Sequence, residues 1–334
     1  MPRLLYCFTI RINHRHRPIA LMKKGNRILC LTVVTTIIVV FSYYNDNPMP
    51  PTSAPDVHAD SPGPSTKEIT PIASFSTLRR NAARPTTTAV SREEAIRVER
   101  KIQLFHVKIT EKERHVFEVL LKTFLKAVPV NVTYFLYSGS LLGSYRHHGM
   151  IPWDDDLDLV VRADDKPALF TSLSTQAPDF IINRHGVRRW KFYNQESQPV
   201  PNRSWRWPSL DISFFTDNGT HVLDVDAAMF SKFVYKRTDV FPLCRRPFMG
   251  LLLPTPRNTE SIIRHHYSLS ICQNTPTDHK FGAGIPMNKR AILPCNKLKA
   301  IHPFVRREYS SNGTLEILER NTTRIGSYFI PGKD

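Results

Sequence analysis

Tyr137-Ser-Gly-Ser-Leu-Leu-Gly-Ser-Tyr-Arg-His-His-Gly-Met-Ile-Pro-Trp-Asp-Asp-Asp-Leu-Asp-Leu-Val-Val161 is the stretch on which the reading of this chain turns. The residues from Val132 to Tyr137 have strand character, and the strand is expected to end in Gly139-Ser140, with a helix opening at Leu141. Small residues at such a junction let backbone N–H groups and a hydroxyl approach a phosphate, and a helix N-terminus favours an anion. Pro152-Trp153 follows as a rigid entry to a second strand, Leu157 to Val161. Residues i and i+2 of a strand face the same way, so Asp156 and Asp158 point to one side, beside Asp154 and Asp155. Four aspartates in five positions repel one another without a cation, and hard divalent ions with oxygen ligands, such as Mg²⁺, meet that demand. An ion there can bridge a diphosphate and neutralise charge that develops in phosphoryl transfer. A solvated acidic turn is the blander reading, and it leaves the preceding Trp153 and the apolar residues at 157 and 159–161 unexplained.

A third carboxylate stands in Leu210-Asp-Ile-Ser-Phe-Phe215, where Asp211 alternates with apolar neighbours in a strand pattern. An isolated buried charge is costly, so an aspartate in such a strand is usually paired or metal-bound. Beside the first pair, Asp211 is a candidate metal ligand or general base.

Together these features resemble the nucleotidyltransferase fold. The longer run Ser-Gly-Ser-Leu-Leu-Gly…Arg…Ile-Pro-Trp-Asp-Asp-Asp-Leu-Asp is similar to the LicD family, which includes fukutin and fukutin-related protein. The likeness continues more weakly through Phe241-Pro-Leu, Phe248-Met-Gly-Leu, Leu253-Pro-Thr-Pro-Arg-Asn258 and Ile262 to Tyr267, so its core covers about residues 115–270. Ser140 stands where the family often has Thr, and the hydroxyl is retained. The resemblance implies an α+β domain with a mixed sheet flanked by helices. It implies transfer of a phosphorylated alcohol, such as ribitol phosphate or phosphocholine, from its CDP conjugate to a glycan, with CMP leaving. Asp156, Asp158 and Asp211 would then be catalytic and hold Mg²⁺, with Mn²⁺ as the substitute, and Asp154 and Asp155 would shape the turn or contact the ion indirectly. Gly139, Ser140 and Arg146 would hold phosphates, and Trp153 would belong to the substrate site. The competing readings are a conventional glycosyltransferase with a two-aspartate metal motif, and a catalytically silent relative that binds glycan or assists a partner.

Outward from this core, 46 Lys+Arg against 29 Asp+Glu give a net charge of +17. Residues 1–27 carry +7 and no acid, residues 28–91 balance, and +10 is left for residues 92–334. An anionic nucleotide donor or acidic acceptor accounts for the +10 better than nucleic acid does. Ile28 to Tyr44 holds no charge over 17 residues, a helix of roughly 26 Å. All the flanking bases lie before it, so a basic cytoplasmic tail (1–27), a signal anchor (28–44) and luminal residues beyond are expected, with a type II topology in the Golgi or endoplasmic reticulum. A cleaved signal peptide and a buried core helix are the rivals. Residues 45–91 are rich in Pro, Ser and Thr and read as a luminal stalk, leaving 92–334 as the catalytic domain. Five sequons follow the apolar run and none precedes it, marking Asn131, Asn202, Asn218, Asn312 and Asn321 for N-glycosylation.

Within the domain, Ser91-Arg-Glu-Glu94 and Thr110-Glu-Lys-Glu113 are capping-box signals. Val116, Phe117, Leu120, Leu121, Phe124, Leu125 and Val128 then recur at helical spacing until Pro129. Arg184 to Tyr193 and Arg203 to Trp207 mix bases and aromatics, suited equally to ligand contact or to surface and core. Of five Cys, Cys272 and Cys295 enclose a short polar loop and are the first choice for a disulfide, with Cys244–Cys272 second. By analogy with the zinc of fukutin-related protein, Cys244, Cys272, His279 and Cys295 form a less favoured zinc alternative. His147-His148 is expected at the surface, with contact of one of the pair to substrate as the alternative, and residues 305–334 show no chemical motif. Scarce glycine excludes collagen, and the lack of a fixed period argues against solenoids.

Overall fold

The computed structural model describes residues 87–184, 189–226 and 233–332, which fall in one compact unit. The expected tail, anchor and nearly all of the stalk lie outside the described residues. Among the described residues, no helix is long and apolar enough to cross a membrane.

Helix α1 (Thr87–Ile102) begins upstream of the Ser91 box, because the first strong helix stop on that side is Pro85 rather than Ser91. Helix α2 (Glu111–Ala127) begins where its sequence signal lies. The Thr110 hydroxyl accepts the Glu113 N–H at 3.3 Å, and the Glu113 carboxylate accepts the Thr110 N–H at 2.8 Å. Its apolar stripe places Phe117, Leu120, Leu121 and Phe124 fully inside. Thr110→Ala is expected to cost about 1 kcal/mol, read as a small drop in Tm with activity retained.

The central sheet has seven strands: β1 (Tyr134–Leu136), β2 (Leu157–Arg162), β3 (Phe180–Asn183), β4 (Trp190–Pro199), β5 (Arg206–Asp217), β6 (His221–Asp224) and β7 (Val234–Lys236). Their order is β1-β2-β5-β4-β3, with β6 taking over from β4 along β5 and β7 beyond it. Only β2 and β5 pair parallel, so the sheet is mixed, and helix α4 (Lys166–Ser174), β3 and β4 form the crossover between them. The buried faces of β2 and β5 read as near-continuous apolar runs, as two-sided burial requires.

Helix α3 (Ser138–His147) leads from β1 toward β2. It starts three residues earlier than expected. The strand closes at Leu136, and Gly139-Ser140 sit in the first helical turn rather than at a strand end. The reversal is made at Ser138, whose φ of +46° lies in the left-handed region.

The remainder is built from small sheets. Strands β8 (Cys244–Phe248) and β9 (Leu251–Thr255) form a hairpin, and helix α5 (Thr259–Arg264) follows it. Strand β10 (Ile271–Gln273) pairs with β13 (Ile292–Pro294), and between them β11 (Thr277–Asp278) pairs with β12 (Ala283–Gly284). A Cys272–Cys295 disulfide closes this segment, and Cys244 is free and exposed. The zinc alternative is thereby overturned, since two of its ligands are bonded to each other. The chain ends in a three-stranded sheet, β14 (Phe304–Ser310), β15 (Gly313–Arg320) and β16 (Thr323–Pro331). All five sequon asparagines are exposed.

Candidate active site

The parallel register of β2 and β5 sets Asp158 directly beside Asp211, and the antiparallel register of β4 sets Lys191 beside Asp211. Carboxylate oxygens of Asp156, Asp158 and Asp211 lie within 4.8 Å of one another. Lys191 forms a close ion pair with Asp211, whose other oxygen accepts the Ser209 hydroxyl at 3.2 Å. The trio opens into a cavity of about 650 Å³, whose lining includes Tyr137, Ser138, Gly139, Arg146, Trp153, Asp154, Arg189 and His279.

The N-terminal turn of α3 meets the aspartates closely. A Cβ on Gly139 would sit 3.1 Å from an Asp154 carboxylate oxygen, a tight contact that would push the carboxylate back by a few tenths of an ångström. The Ser140 hydroxyl accepts the Asp158 N–H at 2.8 Å and is buried, outside the cavity lining. It therefore locks the aspartate strand to the helix, which differs from the phosphate contact expected of it. Gly143 has a separate reason, since a Cβ there would lie 2.4 Å from the Gly149 carbonyl oxygen.

Arg146 is 6% exposed, and its guanidinium lies 5.5 Å from the Trp153 ring centroid. Burial brings its pKa down to about 10. Trp153 is deeper still and donates its Nε1–H to the Gln273 carbonyl at 3.0 Å, which hangs the β10–β13 ribbon on the aspartate motif. Its packed face walls the cavity.

Electrostatically, the aspartates divide. Burial, reinforced by neighbouring carboxylates, holds Asp154, Asp156 and Asp158 above the usual carboxylate range. Asp155 goes the other way. Its burial is outweighed by the His279 hydrogen bond and by Lys108, and its pKa is lowered. His279 is pushed up to about 10, because Asp156, Asp155 and Asp211 outweigh the burial that opposes its charge. Lys191 and His279 thus offset only part of a concentrated negative charge. Oxygen ligands this close, on one wall of a cavity, suit a divalent cation at the bond lengths hard ions require.

Of the residues expected at the site, the cavity brings together Gly139, Arg146, Trp153, Asp154, Asp156, Asp158 and Asp211, and it adds His279, which the sequence offered only as a zinc ligand, with Arg189 and Lys191. Lys191 and Arg189 lie inside the mixed Arg184–Tyr193 segment, whose Trp190 is core, as is Trp207 of the second such segment. Residues 185–188 lie outside the described residues. His147 and His148 are not at the surface. His147 bonds the Pro303 carbonyl at 2.6 Å and His148 bonds Glu316 at 2.9 Å, because the C-terminal sheet covers the end of α3.

Comparisons with known proteins agree with this geometry at the level of family. The family model described as "LicD/FKTN/FKRP, nucleotidyltransferase domain" matches residues 131–258, the span holding α3, β2 and β5. Over that segment, somewhat more than a third of the chain, this protein is similar to the LicD-type nucleotidyltransferase domain. The chain is 35% identical over 65 residues to the uncharacterized protein RT0683 of Rickettsia typhi, covering 19% of this chain and 21% of that one. It is 50% identical over 36 residues to the uncharacterized protein RP689 of Rickettsia prowazekii, covering 11% of this chain and 14% of that one. The matches thus span about a fifth or less of these curated relatives' length. Among solved structures, the lincomycin-bound lincosamide antibiotic adenylyltransferase LnuA is similar over 52% of this chain and 92% of its own, at 15% identity and a TM-score of 0.31.

Proposed function

We propose that this protein transfers a phosphorylated alcohol from a CDP-linked donor to a glycan, using a divalent cation. The observation that carries the reading is the meeting of the Asp156–Asp158–Asp211 trio, the N-terminal turn of α3 and the buried Arg146 in one cavity. Asp156, Asp158 and Asp211 would hold Mg²⁺ or Mn²⁺, which when bound neutralises charge on the diphosphate. The backbone N–H groups opening α3 and the guanidinium of Arg146 bind and orient phosphate oxygens. The acceptor hydroxyl attacks the phosphorus that carries the alcohol, and the bond from that phosphorus to the oxygen kept by CMP breaks. The hydroxyl proton passes to a carboxylate, for which Asp211 is the nominee, and a phosphodiester and CMP result.

In the cell, the basic tail, the apolar run and the five sequons support a luminal catalytic domain on a type II anchor in the Golgi or endoplasmic reticulum. The test is incubation of the purified full chain with Mg²⁺, a glycan acceptor mixture and a panel of CDP conjugates. CMP release with one conjugate, abolished by a chelator and restored by Mg²⁺, is the expected result. Release from none of them would reject the transfer reading.

A further inference from the structure

His279 lies beyond the family-matched segment, on the loop after β11, yet it reaches the aspartate site. What brings it there is Asp155, which is 1% exposed. One Asp155 oxygen accepts His279 Nδ1–H at 2.9 Å. The other accepts the backbone N–H groups of His279 at 3.0 Å and Lys280 at 3.3 Å, with Lys108 Nζ at 3.7 Å. With Nδ1 committed to Asp155, the ring turns Nε2 toward the site, 3.4 Å from an Asp156 oxygen, and the proton that Nε2 holds beside these carboxylates would be released when an ion takes its place. Metal-binding histidines characteristically donate their other ring N–H to a carboxylate, which fixes the tautomer and the ring plane. Two ligand atoms bonded to one ion at about 2.1 Å and near a right angle lie about 3 Å apart. The His279–Asp156 separation is close to that bite.

We propose that His279 is a nitrogen ligand of the divalent cation held by Asp156, Asp158 and Asp211, with Asp155 as its orienting carboxylate. The inference rests on the metal reading of the trio given above and adds a residue and a preference to it. Imidazole suits transition metals better than Mg²⁺, so this ligand weights the site toward Mn²⁺. Asp155 becomes a positioning residue whose carboxylate acts through the ring.

The test uses Mn²⁺ alone with the purified full chain. Pulsed electron paramagnetic resonance of the bound Mn²⁺ should show coupling to one directly bound histidine nitrogen. The coupling should change to the heavy-isotope pattern in protein grown with isotope-labelled histidine, which needs no substitution. In His279→Gln the coupling should vanish while calorimetry still finds Mn²⁺ bound, about tenfold or more weakly, and Asp155→Asn should weaken Mn²⁺ by about 10–100-fold. Bound Mn²⁺ without histidine coupling, or coupling that survives in His279→Gln, overturns the inference and leaves the trio's role standing. No Mn²⁺ bound to the unaltered chain overturns both. Failed CMP release with the coupling intact strikes the transfer reading alone.

Discussion

Asp158→Asn is expected to lower transfer by about a thousandfold or more, since a lost metal contact removes several kcal/mol of transition-state stabilisation. The variant should fold. Its backbone N–H keeps the bond to Ser140, and the side chain keeps its volume. Its stability should move against the usual direction. Burial and the neighbouring carboxylates raise the pKa of Asp158 in the folded chain above its ordinary 3.8. A group shifted upward contributes stability below its ordinary pKa and loses it as pH rises, so at neutral pH the burial of Asp158 among carboxylates opposes folding. Without divalent cation, the Asn variant should therefore have a Tm equal to or above that of the natural chain at pH 7. With saturating Mg²⁺ or Mn²⁺ the order should reverse, because the natural chain gains from binding and the variant gains less. Thermal scans with and without cation check this crossing. Full transfer activity in Asp158→Asn would remove the metal role.

The second large effect lies outside the cavity. Glu316 on β15 is fully buried and pairs with Arg246 at 2.5 Å, Arg307 at 2.7 Å and His148 at 2.9 Å. The Tyr145 ring sits against both guanidinium groups, 3.5 Å from Arg307 and 4.8 Å from Arg246, and its hydroxyl donates to Glu260 at 2.5 Å. This cluster fastens the C-terminal sheet to the far end of α3, the helix whose first turn faces the aspartates. Removing one partner of a buried ion cluster leaves the others uncompensated and costs about 3–5 kcal/mol. Glu316→Gln should lower Tm by roughly 10 °C. The burial of Glu316 is outweighed by His148, Arg246 and Arg307, so its pKa falls from 4.5 to about 2. A carboxylate shifted downward contributes stability above its ordinary pKa and loses it as pH falls toward the folded value. The natural chain should therefore lose stability between about pH 4.5 and 2 more steeply than the variant does. A Tm change below about 2 °C would show that the cluster is effectively solvated.

These two residues also show what the sequence could and could not disclose. Asp158 was legible because its run combines strand alternation, adjacent like charges and a preceding Gly-Ser turn, and each constrains the others. Asp211 was legible from alternation alone, while its register against Asp158 is a fact of the parallel pairing, which no local pattern encodes. The Thr110 box was local and was realised as read. The start of α3 was misplaced because the reversal sits in one left-handed residue, Ser138, with no glycine to announce it. Glu316 and His279 were not legible as partners of the motif. Each reaches it across more than a hundred residues, to His148 and to Asp155, so nothing near either of them signals the contact. His147 and His148 were expected outside for the same reason, since the sheet that covers them lies at the other end of the chain.

The most direct measurement is anomalous diffraction from crystals soaked with Mn²⁺ and CMP. The account predicts one strong manganese peak within bonding distance of Asp156, Asp158 and Asp211, with the nucleotide phosphate toward the first turn of α3. A map with no manganese between those carboxylates, and their side chains turned to solvent, would contradict it.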